Sequence, residues 1–217
     1  MANDSSWTGE FAKKRLQKHS NVKSVVALAP QILKVTRNNA TSFVVATVAA
    51  LRVDEQTIRA VLERSRDVEF VANIPKESYW AGDAIALCKS SSAAFGSLGD
   101  LLSAVATDDV RRYVNKEYGF VERGLRQHSC VDSLDRLSDR HYFIKRKFRR
   151  PPISMVFLNE YELTADHVRT ARDRYGEFGV LLMTNPSGNP TAAASQAAES
   201  MGIEVHKWGA LLRRLNK

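Results

Sequence analysis

The C-terminal part of the sequence alternates between strand-like and helix-like segments. Apolar runs at residues 153–162, 179–184 and 203–208 predict strands, and helical patterns at residues 164–175 and 192–201 lie between them. The run GVLLMT at 179–184 is apolar throughout, which is typical of a strand buried on both faces. Because parallel strands need a connection of about a dozen residues, usually a helix, this alternation predicts parallel strands joined by helical crossovers.

The N-terminal part also mixes the two kinds of element, so the chain as a whole is predicted to be an α/β protein. We expect a mixed or mostly parallel central sheet flanked by helices. Residues 110–128 predict one long charged helix capped by Thr107, and this suggests one segment over residues 1–106 and another over 107–217, or one continuous domain. No internal repeat is visible in the sequence.

The charge balance points to an anionic partner. The 217 residues include 32 Lys and Arg against 24 Asp and Glu, a net charge of +8. A basic protein attracts polyanions, so nucleic acid is the expected partner. The N-terminus has no apolar signal region, and the longest apolar run, at residues 43–51, is too short to span a membrane, so we expect a cytoplasmic protein that does not enter the membrane.

Two basic segments are candidates for nucleic-acid contact. The run at residues 145–150 contains no acid, and its cations are Lys145, Arg146, Lys147, Arg149 and Arg150. The predicted helix at 110–128 adds Arg123 and Arg126, interleaved with aromatic residues that can stack on bases. Glutamates in the same helix favour the alternative of a solvated surface helix. A non-catalytic basic module that binds nucleic acid would need no more than these cations.

The C-terminal segment also carries a family resemblance. An apolar strand ends in Thr184, a polar loop containing Gly188 follows, and Thr191 starts a helix of small residues. A strand then follows Gly202, and a closing helix contains Leu211-Leu212. These features resemble the end of Mrr-type members of the restriction-endonuclease-like superfamily. The resemblance implies a restriction-endonuclease-like core and Mg²⁺-dependent cleavage of phosphodiester bonds, in DNA processing or defence.

The resemblance assigns roles to acidic residues. Its members carry an acid on one strand and Glu/Gln-x-Lys on the next, and these positions match Asp139 and the pair Glu160 and Glu162. Asp139 and Glu160 would bind Mg²⁺, which prefers oxygen ligands. Glu162 stands where the family has lysine, so either Glu162 or Lys145 would position the attacking water, or the site would be inactive. Strand alternation predicts that Glu160 and Glu162 share one face; alternatively, both mark a solvated strand end.

A third hypothesis places a ligand at the ends of the strands. In open parallel sheets, ligands bind outside the carboxyl ends of the strands, beside helix N-termini. Asn73, Lys76, Asn185 and Ser187 follow predicted strands and would line such a crevice in a Rossmann-like three-layer sandwich. A small-molecule or nucleotide-binding enzyme would use them, although ordinary turn and capping chemistry explains the same residues.

Overall fold

The computed structural model describes residues 6–76 and 78–217 of the chain. It divides into two compact units, of which the first reaches Asn115 and the second runs from Lys116 to Lys217. Each unit is built on an open five-stranded sheet that contains both antiparallel and parallel pairs. The predicted α/β class with a mixed sheet is confirmed.

The first unit combines an antiparallel meander with parallel strands that return through helices. Its elements are α1 (Ser6–Leu16), β1 (Val22–Ala29), β2 (Ile32–Arg37), β3 (Ser42–Val48), β4 (Arg52–Val53), α2 (Glu55–Arg64), β5 (Val68–Asn73), β6 (Tyr79–Trp80), α3 (Gly82–Ser90), β7 (Ala94–Ser97), α4 (Leu98–Ala104) and a 3₁₀ turn at Val110–Arg112. The strands of its main sheet lie in the order β1-β2-β3-β5-β7.

The second unit follows the same plan. Its elements are α5 (Lys116–Gln127), β8 (Val131–Arg136), β9 (His141–Arg146), β10 (Ile153–Leu158), β11 (Glu162–Leu163), α6 (Ala165–Tyr175), β12 (Val180–Met183), β13 (Asn189–Pro190), α7 (Ala192–Ser200), β14 (Glu204–Lys207) and α8 (Trp208–Leu215). The sheet order is β14-β12-β10-β9-β8. Strands β10, β12 and β14 are parallel, whereas β8, β9 and β10 form an antiparallel meander.

The two units repeat one topology, so the expectation of no internal repeat is wrong at the level of structure. Strand pairs of the second unit lie 110 residues after their counterparts: Val45↔Phe70 matches Met155↔Val180, and Phe70↔Ala94 matches Val180↔Glu204. Even the left-handed residue after α3, Ser92 with φ 55°, has its counterpart in Gly202 with φ 67°. Equivalent positions of the two units rarely carry the same residue type. The two units therefore share their backbone and their pattern of burial.

Helices cover both faces of each sheet. In β12, Val180 and Leu182 pack into a core with α5 and α8, whereas Leu181 and Met183 pack into a second core with α6 and α7. All four residues are buried, which confirms the prediction of a strand enclosed on both faces. The first unit has the same two cores, one with α1 and α4 and one with α2 and α3.

The predicted helix at residues 110–128 is wrong as a single element. A 3₁₀ turn covers Val110–Arg112, the chain is extended at Tyr113 (φ −61°, ψ 132°), and α5 begins at Lys116. The reason is tertiary, since Val110 is buried in the core of the first unit and Asn115 donates a hydrogen bond to Asp100 of that unit. Residues 107–115 therefore belong to the first unit, which moves the division of the chain from residue 107 to residue 116.

Helices α5 and α8 pack closely at a glycine, and this contact gives a first prediction. A Cβ built on Gly124 would collide with the indole ring of Trp208. We expect Gly124→Ala to destabilise the second unit by about 1–3 kcal/mol, the usual penalty of overpacking. The matched control is Gly209→Ala in α8, where the nearest atom to a new Cβ is Arg213 Nη1 at 3.9 Å. This control should be neutral or stabilising by up to ~1 kcal/mol, because alanine favours helix.

Both variants are measured by urea unfolding of the full chain, monitored in the transition of the second unit. Equal stability of Gly124→Ala and Gly209→Ala would contradict the close packing of α5 on α8.

Candidate functional site

In the second unit, charged side chains gather where β10 and β12 end. The turn between β8 and β9 carries Asp139 and Arg140, and the amide of Phe157 donates to the carbonyl of Arg140 at 3.1 Å, which places this turn beside the last residues of β10. Thr184 follows β12, and its amide donates to Leu158 O at 2.9 Å. The first turn of α5 brings Glu117 to the same end of the sheet.

Glu117 and Arg140 form a two-pronged ion pair. Arg140 Nη1 and Nη2 donate to Glu117 Oε1 and Oε2, each at 3.1 Å. The hydroxyl of Thr184 donates to Glu117 Oε1 at 2.5 Å. The pair is largely withdrawn from water, with side-chain exposures of 24% for Arg140 and 16% for Glu117. Both oxygens of the carboxylate are thus engaged by donors from two other elements of the unit.

Tyr118 lies between two guanidinium groups. The Arg136 and Arg140 carbons Cζ are 4.8 and 5.3 Å from its ring centroid, within cation–π distance. The pKa of Tyr118 is raised to about 12, chiefly by burial. The charge of Arg140 opposes this rise, the charge of Asp139 adds to it, and Arg136 acts in the same direction as Arg140. Burial would lower the pKa of Arg140, but Tyr118 and Glu117 together raise it above its ordinary value. At neutral pH the phenol is neutral and the guanidinium is charged.

Asp139 is buried in the turn, with 5% of its surface exposed. Arg136 fixes this turn, because its Nε and Nη2 donate to the carbonyls of Ser138 and Asp139 at 3.1 and 2.8 Å. The charge of Asp139 raises the pKa of both Tyr118 on α5 and Tyr175 on α6, after the larger effect of burial. The Asp139 carboxylate therefore acts on aromatic residues from both helical layers.

Glu160 and Glu162 do not share a strand face, so that prediction is wrong. Strand β10 ends at Leu158 and the chain leaves the sheet. Glu160 lies in the following loop, and its carbonyl is packed so closely against Gly188 that a Cβ there would collide with it. Glu162 is exposed in the short strand β11, where it pairs with Asn189. Alternation cannot apply across the residues that separate β10 from β11.

The sheet also separates Lys145 from Asp139. Strand β9 runs from the Asp139 turn toward the opposite end of β10, where Ile144 pairs with Ile153. Six residues of extended chain span about 20 Å. The Lys145 ammonium lies 3.4 Å from Asp135 on β8. An amine at that end of β9 is not placed to orient a water beside Asp139.

The gathered residues do not fit a Mg²⁺ ion as they stand. Mg²⁺ in proteins is usually held through one or two carboxylates whose oxygens are free to bind it, and it keeps several waters. Glu117 already binds the Arg140 guanidinium and the Thr184 hydroxyl. Across residues 6–76 and 78–217, no group of three or more His, Cys, Asp or Glu side chains is arranged to hold a metal. The combination of Glu117, Arg140 and Thr184 was not predicted from the sequence.

The residues predicted to line a crevice at the strand ends make local hydrogen bonds or are exposed. The Asn73 amide is fully buried, accepting from Ala50 N at 3.1 Å and donating to Ala50 O at 2.7 Å, so it pins the chain that leaves β3. Lys76, of the same unit, is exposed. In the second unit, Asn185 Oδ1 accepts from Ser187 N at 3.0 Å in an Asx turn. The side-chain amides of Asn73 and Asn185 therefore stabilise local turns. Asn73 and Lys76 belong to the first unit, whereas Asn185 and Ser187 belong to the second.

The basic run divides into anchoring and exposed cations. Arg146 is buried and donates to Pro151 O at 2.7 Å and to the last carbonyls of α8, at Arg214 and Leu215, both at 3.3 Å. Arg146, predicted to contact nucleic acid, therefore uses Nε on the turn and Nη1 on the end of α8. Arg150 donates to Asn216 O at 3.1 Å and is partly buried. The exposed members of the run are Lys145, Lys147 and Arg149.

On α5 the two predicted cations differ. Arg126 binds Glu122 one turn earlier, at 3.0 Å, whereas Arg123 is exposed on the helix surface. Both remain on a solvated face of α5, opposite the residues Val121 and Leu125 that pack into the core.

The first unit has no counterpart of the Glu117–Arg140 pair at the equivalent positions. Ala12 and Leu16 of α1 correspond to Val121 and Leu125 of α5, and the same spacing aligns Thr8 with Glu117. Thr8 is fully buried, and its hydroxyl lies 3.0 Å from that of Thr47. The same spacing aligns Gln31 with Arg140. The charged cluster therefore distinguishes the second unit from the first.

Comparison with protein-family models, with curated proteins and with solved structures finds no match to this chain. Among the described residues, no helix has the length and apolar character needed to cross a membrane.

His141, next to the charged cluster, predicts a pH dependence of stability. It is 6% exposed, and its Nε2 lies 2.7 Å from Ser154 Oγ. Burial lowers its pKa below the usual 6.5, so the unfolded chain binds the proton first as the pH falls. The contribution of neutral His141 to the free energy of unfolding should be fully present above pH 6.5. It should decrease as the pH falls from 6.5 to the lowered pKa of His141 in the folded chain. Urea unfolding from about pH 7.5 to 5 checks this, and His141→Gln should remove that part of the decrease.

Proposed function

We propose that this protein binds nucleic acid through the second unit, and that this unit is a restriction-endonuclease-like module whose carboxylate cluster stabilises the fold. The observation that carries the proposal is the set of exposed cations at the turn between β9 and β10. Lys147 and Arg149 are exposed in the turn, and Lys145, which pairs with Asp135, is exposed near the end of β9; residues 145–150 contain no acid. Phosphate contacts by such side chains supply most of the affinity in sequence-independent binding.

The neighbouring end of α8 extends this basic surface. The turn is fastened to that end through Arg146 and Arg150, and the exposed cations Arg213 and Lys217 lie on the last residues of the chain. Exposed cations therefore follow both from the turn and from the end of α8 to which the turn is bound. A net charge of +8 favours the approach of a polyanion from a distance.

The binding proposal is tested with a fluorescent DNA duplex and the corresponding RNA at several salt concentrations. The variant Lys147→Ala/Arg149→Ala should weaken binding to any sequence and reduce the slope of log affinity against log salt by about 2. The matched control is Lys23→Ala/Lys34→Ala, which removes two exposed cations from the first unit at the same change of net charge. Equal effects of the two double variants would refute a specific role for the turn.

A metal-dependent phosphodiesterase is the second candidate. It is favoured by one observation, that two acids lie at one end of the sheet. Asp139 is in the turn that the Phe157 amide binds at Arg140 O, and the Arg140 guanidinium in turn binds Glu117. The test is cleavage of DNA and RNA with Mg²⁺ or Mn²⁺. If the protein is a nuclease of this kind, Glu160→Ala should abolish cleavage while leaving binding intact. Binding without cleavage by the native chain would support the non-catalytic module.

A further inference from the structure

The turn between β9 and β10 presents an exposed aromatic ring on an unfavourable backbone. Phe148 and Arg149 have φ values of 61° and 55°, in the left-handed region that glycine and asparagine prefer. The amide of Arg150 closes the turn on Lys147 O at 3.4 Å. Phe148 has 74% of its surface exposed, so the ring contributes little to the hydrophobic core. Folding alone would favour glycine at these two positions.

The turn is nevertheless held firmly. The Arg150 guanidinium lies 5.1 Å from the Phe148 ring centroid, and its Nε donates to Asn216 O at 3.1 Å. On the strand side of the turn, Arg146 Nε donates to Pro151 O at 2.7 Å. The ring is therefore supported by an arginine that is itself fixed to the end of α8. An exposed ring on a fixed and strained turn suggests a binding role, because strain that folding does not need persists where function uses it.

We propose that Phe148 stacks on an unpaired base of single-stranded nucleic acid, while Lys147 and Arg149 contact the phosphates on either side. This inference rests on the proposed nucleic-acid binding and specifies the partner. Aromatic side chains stack on any base, and flanking cations follow the backbone. Bases in a duplex are already stacked on each other, so a base face is open to Phe148 only in a single strand. The Arg150 guanidinium would support the ring beneath the bound base.

The probes are a fluorescent oligothymidine and an abasic strand of the same length. Phe148→Ala should weaken binding to oligothymidine by about tenfold, as expected for the loss of one stacked base. Binding to the abasic strand should not change, because only phosphate contacts remain there. Phe148→Trp should keep the native affinity, since it retains an aromatic face. Lys147→Ala/Arg149→Ala should weaken binding to both strands.

Phe148→Gly separates the binding role from a folding role. Glycine relieves the left-handed backbone, so the melting temperature should rise while affinity for oligothymidine falls. If Phe148 were retained for folding, Phe148→Gly would lower the melting temperature. If the native chain binds both probes and Phe148→Ala binds oligothymidine as tightly as the native chain does, the stacking role is refuted and the basic surface stands. If the native chain binds no nucleic acid, the proposed function fails together with this inference.

Discussion

Glu117→Ala is expected to destabilise the second unit by about 3–5 kcal/mol, the range found when one partner of a buried ion pair is removed. The variant leaves the Arg140 guanidinium at 24% side-chain exposure without its carboxylate. It also removes the nearer of the two acceptors of the Thr184 hydroxyl, which leaves Leu158 O at 3.1 Å. Arg140→Met should destabilise for the converse reason, because the Glu117 carboxylate would remain at 16% exposure without its cation.

The double variant Glu117→Met/Arg140→Met should recover much of the lost stability. Replacing both members of a buried pair by apolar residues is often neutral or stabilising. The free energies of unfolding from urea titrations of the native chain, Glu117→Met, Arg140→Met and the double variant form a double-mutant cycle, which isolates the coupling between Glu117 and Arg140. The matched control is Glu122→Ala on the same helix. Its partner Arg126 is exposed, so the loss should stay below about 1 kcal/mol.

A small effect of Glu117→Ala, equal to that of Glu122→Ala, would contradict a structural role for the pair. The result also decides how activity data are interpreted. A Glu117 variant that loses activity together with several kcal/mol of stability reports on folding. Only a variant that stays folded can report on chemistry, and for this reason Glu160 in the loop after β10 is the better residue for the cleavage test.

The apolar pattern predicted the fold of the second unit where burial is complete. Residues 180–183 are apolar and buried on both faces, and the strand was predicted from that run. Strand β8 was not predicted, because Asp132, Ser133 and Asp135 interrupt its apolar residues and only Val131 and Leu134 are buried. A strand at the edge of a sheet needs few apolar side chains, and its sequence therefore carries a weaker signal.

The charged cluster could not be predicted from the sequence, because its members are distant along the chain. Arg140 lies 23 residues after Glu117, and Thr184 lies 67 residues after it. Only the meander and the parallel crossover bring them together. The basic run, in contrast, did contain a usable signal. Arg146 follows the buried residues Tyr142 and Ile144 at the spacing of one strand face, and this alternation predicts that it points inward.

The division of the chain leads to the second large expected effect. A fragment of residues 1–115 should fold, whereas a fragment of residues 1–106 should lose about 2–4 kcal/mol of stability. Burying a side chain such as Val110, 2% exposed, stabilises by about 1.5–3 kcal/mol. The hydrogen bond from Tyr113 Oη to Asp100 Oδ1, at 3.0 Å, contributes about 0.5–1.5 kcal/mol more.

Urea unfolding of the two fragments, followed by circular dichroism, measures this difference. A third fragment, of residues 107–217, provides the converse comparison with residues 116–217. Because Val110 and Tyr113 pack in the core of the first unit, the extra residues should leave the stability of the second unit unchanged. Stabilisation of the second unit by residues 107–115 would instead mean that this segment continues α5, as the sequence pattern alone predicts. The two pairs of fragments thus determine whether the helical pattern at 110–128 or the packing of Val110 and Tyr113 sets the boundary between the repeated units.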